Sequence, residues 1–276
     1  MSFSKLDARP TATALAICAL LALGGCGKLG DVTGSLGPQR QTELPRDDAE
    51  LRRFAEEWGR RFDSDPKNKR VATTYARALT RLERHAQAVA VLQGLAIRYP
   101  EQMDVLAAYG KALADAGRLQ EAADVLARAH TPERPDWSVL SAQGSIADQL
   151  GHHEEARDFY QTALKIRPNE PSVLSNLGLS YPLSKRLPLA EETLLTAAAQ
   201  PAADIRVRQN LALVLALEGK FEEAESWSRH DLSPIDAAAN VASIRQMIAQ
   251  SNSWREIQNY GARGAKASAP RAAHQL

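Results

Sequence analysis

Residues 137–169, WSVLSAQGSIADQLGHHEEARDFYQTALKIRPN, read as two amphipathic helices joined by a turn at Gly151 and stopped at Pro168. In steps of 34 residues one column carries Ala76, Gly110, Gly144, Gly178 and Ala212, and a second carries Ala88, Ala122, Ala156, Ala190 and Ala224. Five copies keep this register without a slip, which predicts an array of repeated helix pairs. Helix axes lie about 8–10 Å apart, and the closest approach needs small side chains. Gly144 on the first helix and Ala156 on the second are therefore expected to touch, with Leu140, Ile146, Phe159 and Leu164 filling the space on either side. One pair cannot bury such a face alone, but stacked neighbours can.

These residues carry a resemblance to the tetratricopeptide repeat (TPR) family, in which Leu140, Gly144, Gly151, Ala156, Tyr160, Ala163 and Pro168 fit the pattern, followed in the next copy by Leu174, Leu177, Gly178, Tyr181, Ala190, Leu194 and Ala197. The resemblance implies an all-α tetratricopeptide-repeat solenoid of antiparallel helix pairs over residues 69–238. Its outer copies are looser: Leu95 stands where Ala is usual, and Ser228 and Asp231 fall at buried columns. Such departures suit terminal repeats that cap an array.

Outside the array, residues 1–25 carry Lys5 and Arg9 before an apolar run of about thirteen residues, too short to span a bilayer of about 30 Å. This reads as a secretory leader. Its end, Leu23-Gly24-Gly25-Cys26, resembles the bacterial lipobox, which implies cleavage before Cys26 and lipid attachment to it. Two or three acyl chains anchor a protein well, at about 0.8 kcal/mol per buried methylene. Gly27 and Lys28 follow, without the Asp that in this family favours the inner membrane, so the resemblance implies the outer membrane facing the periplasm. Cys18 lies in the leader, leaving no intrachain disulfide for Cys26. Residues 26–45 are Gly-rich and aperiodic, a flexible tether reaching roughly 20–25 Å.

Residues 46–66 predict a helix with Leu51, Phe54, Ala55, Trp58 and Phe62 on one face, a half-repeat covering the first pair. Residues 235–258, with Ile235, Val241, Ile244, Met247 and Ile248, predict a helical cap that folds over the last repeats, and residues 259–276 a disordered tail. Pro182 in the first helix of the fourth repeat is expected to end or kink that helix and widen the groove, whereas Pro188 falls harmlessly at a first turn.

The TPR resemblance places the first helices along a concave face and implies protein clients held there. Candidate groove residues are Arg70, Arg77, Arg81 and Lys111 at one end and Asn176, Leu179, Asn210 and Leu213 at the other, so the face changes from basic to apolar. Thr73, Thr74, Asp104, Asp115, Ser141, Ser145, Leu183 and Leu217 share it. Asn can donate to and accept from the main chain of a bound segment.

Little suggests chemistry. His152, His153 and Glu154 occupy a turn and lack the i, i+4 spacing of a helical zinc pair, so an envelope hydrolase built on them is a remote alternative. No G-x-S-x-G elbow or free cysteine nucleophile is present, and no cofactor or small-molecule substrate is expected. Net charge is +1, and removal of residues 1–25 leaves 32 basic against 32 acidic residues, with no nucleic-acid footprint. Together the lipobox, tether, repeats and the segment DLSPIDAAANVASIRQMIAQSNSW at 231–254 resemble the TPR lipoproteins of tight-adherence (Flp) pilus assembly. That resemblance implies a scaffold for pilus components, including a pilotin role toward the secretin. A general periplasmic TPR lipoprotein serving cell-wall enzymes or outer-membrane protein assembly is the alternative.

Overall fold

The computed structural model describes residues 43–267, and from residue 251 onward only the backbone. The leader, Cys26, nearly all of the tether and residues 268–276 lie outside the described residues. Among the described residues are twelve helices and no strand. After α1 (Asp48–Ser64) come five antiparallel pairs: α2 (Lys69–Arg81) with α3 (His85–Arg98), α4 (Met103–Asp115) with α5 (Leu119–Leu126), α6 (Trp137–Gln149) with α7 (His153–Ile166), α8 (Pro171–Leu183) with α9 (Leu187–Ala198), and α10 (Ile205–Leu217) with α11 (Phe221–Ser228). A single helix, α12 (Pro234–Ala267), closes the series.

The turn inside every pair is built the same way. Glu83, Gly117, Gly151, Lys185 and Gly219, spaced by 34 residues, all have positive φ, between 59° and 86°. The next residue's N–H (Arg84, Arg118, His152, Arg186, Lys220) donates to the carbonyl five residues back at 2.8–3.0 Å. This is the Schellman closure, and glycine fits it because a Cβ costs roughly 1–2 kcal/mol in the left-handed region. The first helices start on side-chain caps in three repeats, where Asn68, Asp136 and Asp204 accept from main-chain N–H groups of the first turn.

Both small columns are buried, yet the closest contact is not the expected one between Gly144 and Ala156. A Cβ on Gly144 would lie 2.6 Å from the Tyr160 ring, and one on Gly110 or Gly178 would lie 2.6 Å from Leu126 or Leu194. The missing side chain on α4, α6 and α8 therefore makes room for a large residue sixteen positions on, while the alanine column packs beside it at 0–1% exposure.

Pro182 does not shorten its helix. All five first helices have 13 residues, and Pro182 is the penultimate residue of α8. Its missing N–H removes one bond at the end of a helix that has no further turn to lose.

The ends differ in construction. Leu51, Ala55 and Trp58 of α1 bury against α2, which α1 meets as each second helix meets the following first helix. The helix α12 packs on α10 and α11, the place a sixth first helix would take, through Ala237, Val241 and Ile244. Among the described residues it meets α10 and α11 and not α8, so it ends the stack and does not lie along the concave face. Its backbone stays helical to Ala267, beyond the 258 boundary expected for the cap and into the stretch expected to be disordered. The extension, GARGAKA, sets three alanines, an arginine and a lysine, all good helix formers, against two glycines. No helix among the described residues is long and apolar enough to cross a membrane.

Candidate functional site

Successive first helices touch one another, α2 with α4, α4 with α6, α6 with α8 and α8 with α10, while no second helix touches another second helix. The exposed residues of the first helices therefore form one continuous face. Polar bonds between neighbouring first helices fix its spacing. Lys69 Nζ reaches Asp104 Oδ2 at 3.4 Å, Lys111 Nζ reaches Ser138 Oγ at 3.1 Å, Asn176 Nδ2 donates to Ser141 Oγ at 3.2 Å and Asn210 Nδ2 donates to Ser175 Oγ at 2.9 Å.

Arg70, Arg77 and Arg81 are exposed on α2. Arg70 also lines a cleft between α1 and α2 with Phe54, Trp58 and Arg61. Lys111 is half-buried, and burial pulls its ammonium below the usual lysine range against the opposing pull of Asp136 and Asp115. Burial likewise raises the Asp115 carboxyl, moderated by His85 and Lys111. Asn176 and Asn210 are half-buried, each with one amide N–H engaged across the repeat boundary; the carbonyl oxygen of each side chain remains an acceptor. Leu179 and Leu213 pack partly into the core of the last repeats. Leu183 and Leu217, one turn further along the same helices, are 55% and 39% exposed. Thr74 and Ser141, assigned to the same face from the sequence, are buried.

Two columns along this face summarise its character. At 77, 111, 145, 179 and 213 stand Arg, Lys, Ser, Leu and Leu; at 81, 115, 149, 183 and 217 stand Arg, Asp, Gln, Leu and Leu. In these columns α2 thus presents two cations, α4 a lysine beside a carboxylate, and α8 and α10 uncharged apolar groups.

The histidine turn is occupied by packing. His153 Nδ1 lies 3.0 Å from Asp148 Oδ1, and Asp148 also accepts from Tyr160 Oη at 3.2 Å and Ser180 Oγ at 2.8 Å. Burial and the neighbouring Asp148 charge push the Tyr160 phenol well above its ordinary range. His152 is exposed and faces Glu155 at 3.5 Å. Among the described residues no group of three or more His, Cys, Asp and Glu is placed to hold a metal.

Sequence reasoning missed Arg157, which is 3% exposed at the joint between the third and fourth repeats. Its Nη1 donates to Ser180 Oγ and Ser184 Oγ at 3.3 Å, and its guanidinium lies 5.7 Å from the Tyr181 ring centre. The only available signal was its column, which begins with Val89 and Ala123. Also missed was the bond between Arg208 and Asp231, 2.5 Å from Nη2 to Oδ1 and 2.7 Å from Nε to Oδ2, which accounts for an acidic residue at a buried column. Ser228, the other departure, bonds back to the Ala224 carbonyl at 2.9 Å.

Family models for the tetratricopeptide repeat match residues 74–136 and 137–170. No curated protein matches the sequence at a significant level. Among solved structures, the chain is similar to the APC/C hetero-tetramer Cut9–Hcn1, with TM-score 0.56, 16% identity and coverage of 70% of this chain and 40% of that one. Human IFIT1, solved as a dimer with PPP-AAAA, gives TM-score 0.56 and 16% identity over 72% of this chain and 50% of that one. TTC0263, a thermophilic TPR protein of Thermus thermophilus, gives TM-score 0.54 and 20% identity over 60% of this chain and 91% of that one. The chain spans about half or less of the first two proteins. At these identities the likeness establishes the fold. The protein is an all-α tetratricopeptide-repeat solenoid of antiparallel helix pairs, a fold that typically serves as a non-catalytic scaffold for protein–protein contacts.

Proposed function

We propose that this solenoid is an outer-membrane-anchored scaffold that holds protein clients during tight-adherence (Flp) pilus assembly, as a relative of the TPR lipoprotein TadD, with a pilotin role toward the secretin. The observation that carries the scaffold reading is the continuous face made by five first helices, which among the described residues α12 leaves uncovered because it stacks on the end of the array. The envelope part rests on Leu23-Gly24-Gly25-Cys26, where lipid on Cys26 would supply the address while the array holds the client. Clients are protein segments, with contact to the membrane through the lipid alone.

The deciding measurement is the amount of detergent-resistant secretin multimer in outer membranes of cells with and without the gene, and with Cys26→Ser. Loss of the multimer in both, with monomer accumulating elsewhere, is expected. An unchanged multimer removes the pilotin role and favours the general periplasmic adaptor, which would draw on the same open face. Palmitate labelling that persists in Cys26→Ser would remove the anchor assignment.

A further inference from the structure

The stack is offset by half a pair at its two ends. The helix α1 ends at Ser64, 34 residues before α3 ends at Arg98, and it meets α2 as every second helix meets the next first helix. It therefore holds the place of a second helix. Among the described residues no first helix precedes it, since 43–47 are not helical. At the other end α12 holds the place of a first helix. The turn that would send a second helix back, due 34 residues after Gly219 at position 253, does not form, and α12 runs helical through it. Five complete pairs thus stand between a lone second helix and a lone first helix, and each end lacks what the other supplies.

The two uncovered faces match. Inside complete pairs, a Cβ on Gly110 would strike Leu126 with Val125 beside it, and Gly144 and Gly178 meet Tyr160 and Leu194 in the same way. Those columns fall on Glu57 and Trp58 in α1 and on Gln246 in α12. Glu57 and Trp58 line, with Phe54 and Arg61, the cleft beside the start of α2, which is where a first helix paired with α1 would lie. Antiparallel pairing of Trp58 with Gln246 sets Ala242 opposite Phe62 and Ala249 opposite Phe54. Exposed alanines on one helix then receive half-buried rings on the other, the small-against-large packing of the inner pairs. Gln246 comes beside the Glu57–Arg61 ion pair, where its amide can donate to one and accept from the other. Ile235, 81% exposed, lies on the same charge-free side of α12 and falls opposite the turn between α1 and α2.

We propose that copies of this chain join head to tail, α12 of one lying in the first-helix place beside α1 of the next, so that the two lone helices complete a sixth pair. The contact continues the interface that each of the five pairs already makes. It needs neither a client nor the pilus. Each copy has one α1 and one α12, so the contact is heterologous: joining two copies leaves one of each helix uncovered, and the run can lengthen. The contact is also small, because the 17 residues of α1 span only about 25 Å. Single helix pairs fall at the low end of protein interfaces, and a dissociation constant on the order of 10–100 μM is expected.

The test is sedimentation velocity of the full chain in detergent, from about 2 to 200 μM, with one substitution on each face. Ala242→Arg puts bulk and charge where α12 must approach closely. Glu57→Arg removes the carboxylate that neutralises Arg61 and leaves two cations in the contact. Both positions are exposed, so circular dichroism should show unaltered helix. The unmodified chain should grow from one copy toward several as concentration rises, and each variant alone should remain single. Mixed in equal amounts, the variants should give a two-copy species and nothing larger, because one keeps an intact α1 and the other an intact α12. A mass independent of concentration in the unmodified chain would overturn the proposal, including the case in which residues 27–42 of the same chain cover α1. So would association that survives both substitutions, as from copies sharing a micelle. Association lost in Ala242→Arg but kept in Glu57→Arg would mean that α12 pairs with itself, and an unpaired mixture would equally exclude the head-to-tail contact.

Discussion

The third and fifth repeats solve one packing problem in opposite ways. In the third, Gly144 carries no side chain and the Tyr160 ring fills the gap, its hydroxyl tied to Asp148 at 3.2 Å. In the fifth, Ala212 occupies the first-helix position and Ser228 stands opposite it, 2% exposed and bonded back to Ala224. A missing methyl group faces a large ring in one repeat, and an added methyl faces a small hydroxyl in the other. What the repeats share is a filled volume at the contact; the residue that fills it can come from either helix.

The largest break in this comparison should come from Tyr160→Ala. It removes the ring that fills the third repeat, with an expected loss of about 3–5 kcal/mol in urea denaturation. Ser228→Ala deletes one hydroxyl and should change stability by less than about 1 kcal/mol. Equal effects would mean that the two contacts do not differ as described.

A smaller effect sharpens the same point. Gly144→Ala gains about 1 kcal/mol of helix propensity, yet its Cβ would lie 2.6 Å from a ring held by Asp148, so a net loss of roughly 1–3 kcal/mol is expected. Combined with Tyr160→Ser, which copies the pair in the fifth repeat, the same alanine should cost nothing or stabilise. An additive double mutant would show that Gly144 and Tyr160 are uncoupled.

The smallest effect concerns the fifth repeat alone and its dependence on pH. The side-chain bond from Arg208 holds the Asp231 carboxyl below its usual range, against a lesser opposing effect of burial. A carboxylate with a lowered folded pKa contributes stability that is complete above its unfolded value, about 3.9, and is lost as pH falls through the folded value. Asp231→Asn should therefore lower the melting temperature at neutral pH and flatten its decline below about pH 4. Parallel melting curves for the two proteins across that range would remove the Arg208–Asp231 bond from the set of stabilising contacts.

Most of the array was legible because its signals are periodic. A column of small residues every 34 positions, and a turn residue in the same register, are features that local side-chain size and backbone freedom determine. The partner of each glycine was not legible in the same way. The alanine column looked like the close contact because alanine is small, whereas the gap is defined by the large residue that enters it. The effect of Pro182 was overstated for a related reason. Its cost depends on how much helix follows, which only the position of the Schellman turn decides. Arg157 escaped notice since its burial is set by a neighbouring repeat. At the candidate face the residue types and their gradient were readable, but the engagement of Asn176 and Asn210 with the preceding repeat was not.

The second repeat bears on how the protein would respond to force. Its second helix, α5, has eight residues where α3 and α7 have fourteen, and residues 127–136 continue as a loop up to α6. Two turns of helix offer α6 about half the abutting length found at the joints made by α3 and α7. If a client attached near one end of the five pairs were drawn away from a tethered other end, tension would pass through every joint equally, and among the joints between successive pairs the one with the least abutting helix would yield first. The array would then part between its basic and apolar halves, lengthening by the slack in that loop while each half kept its fold.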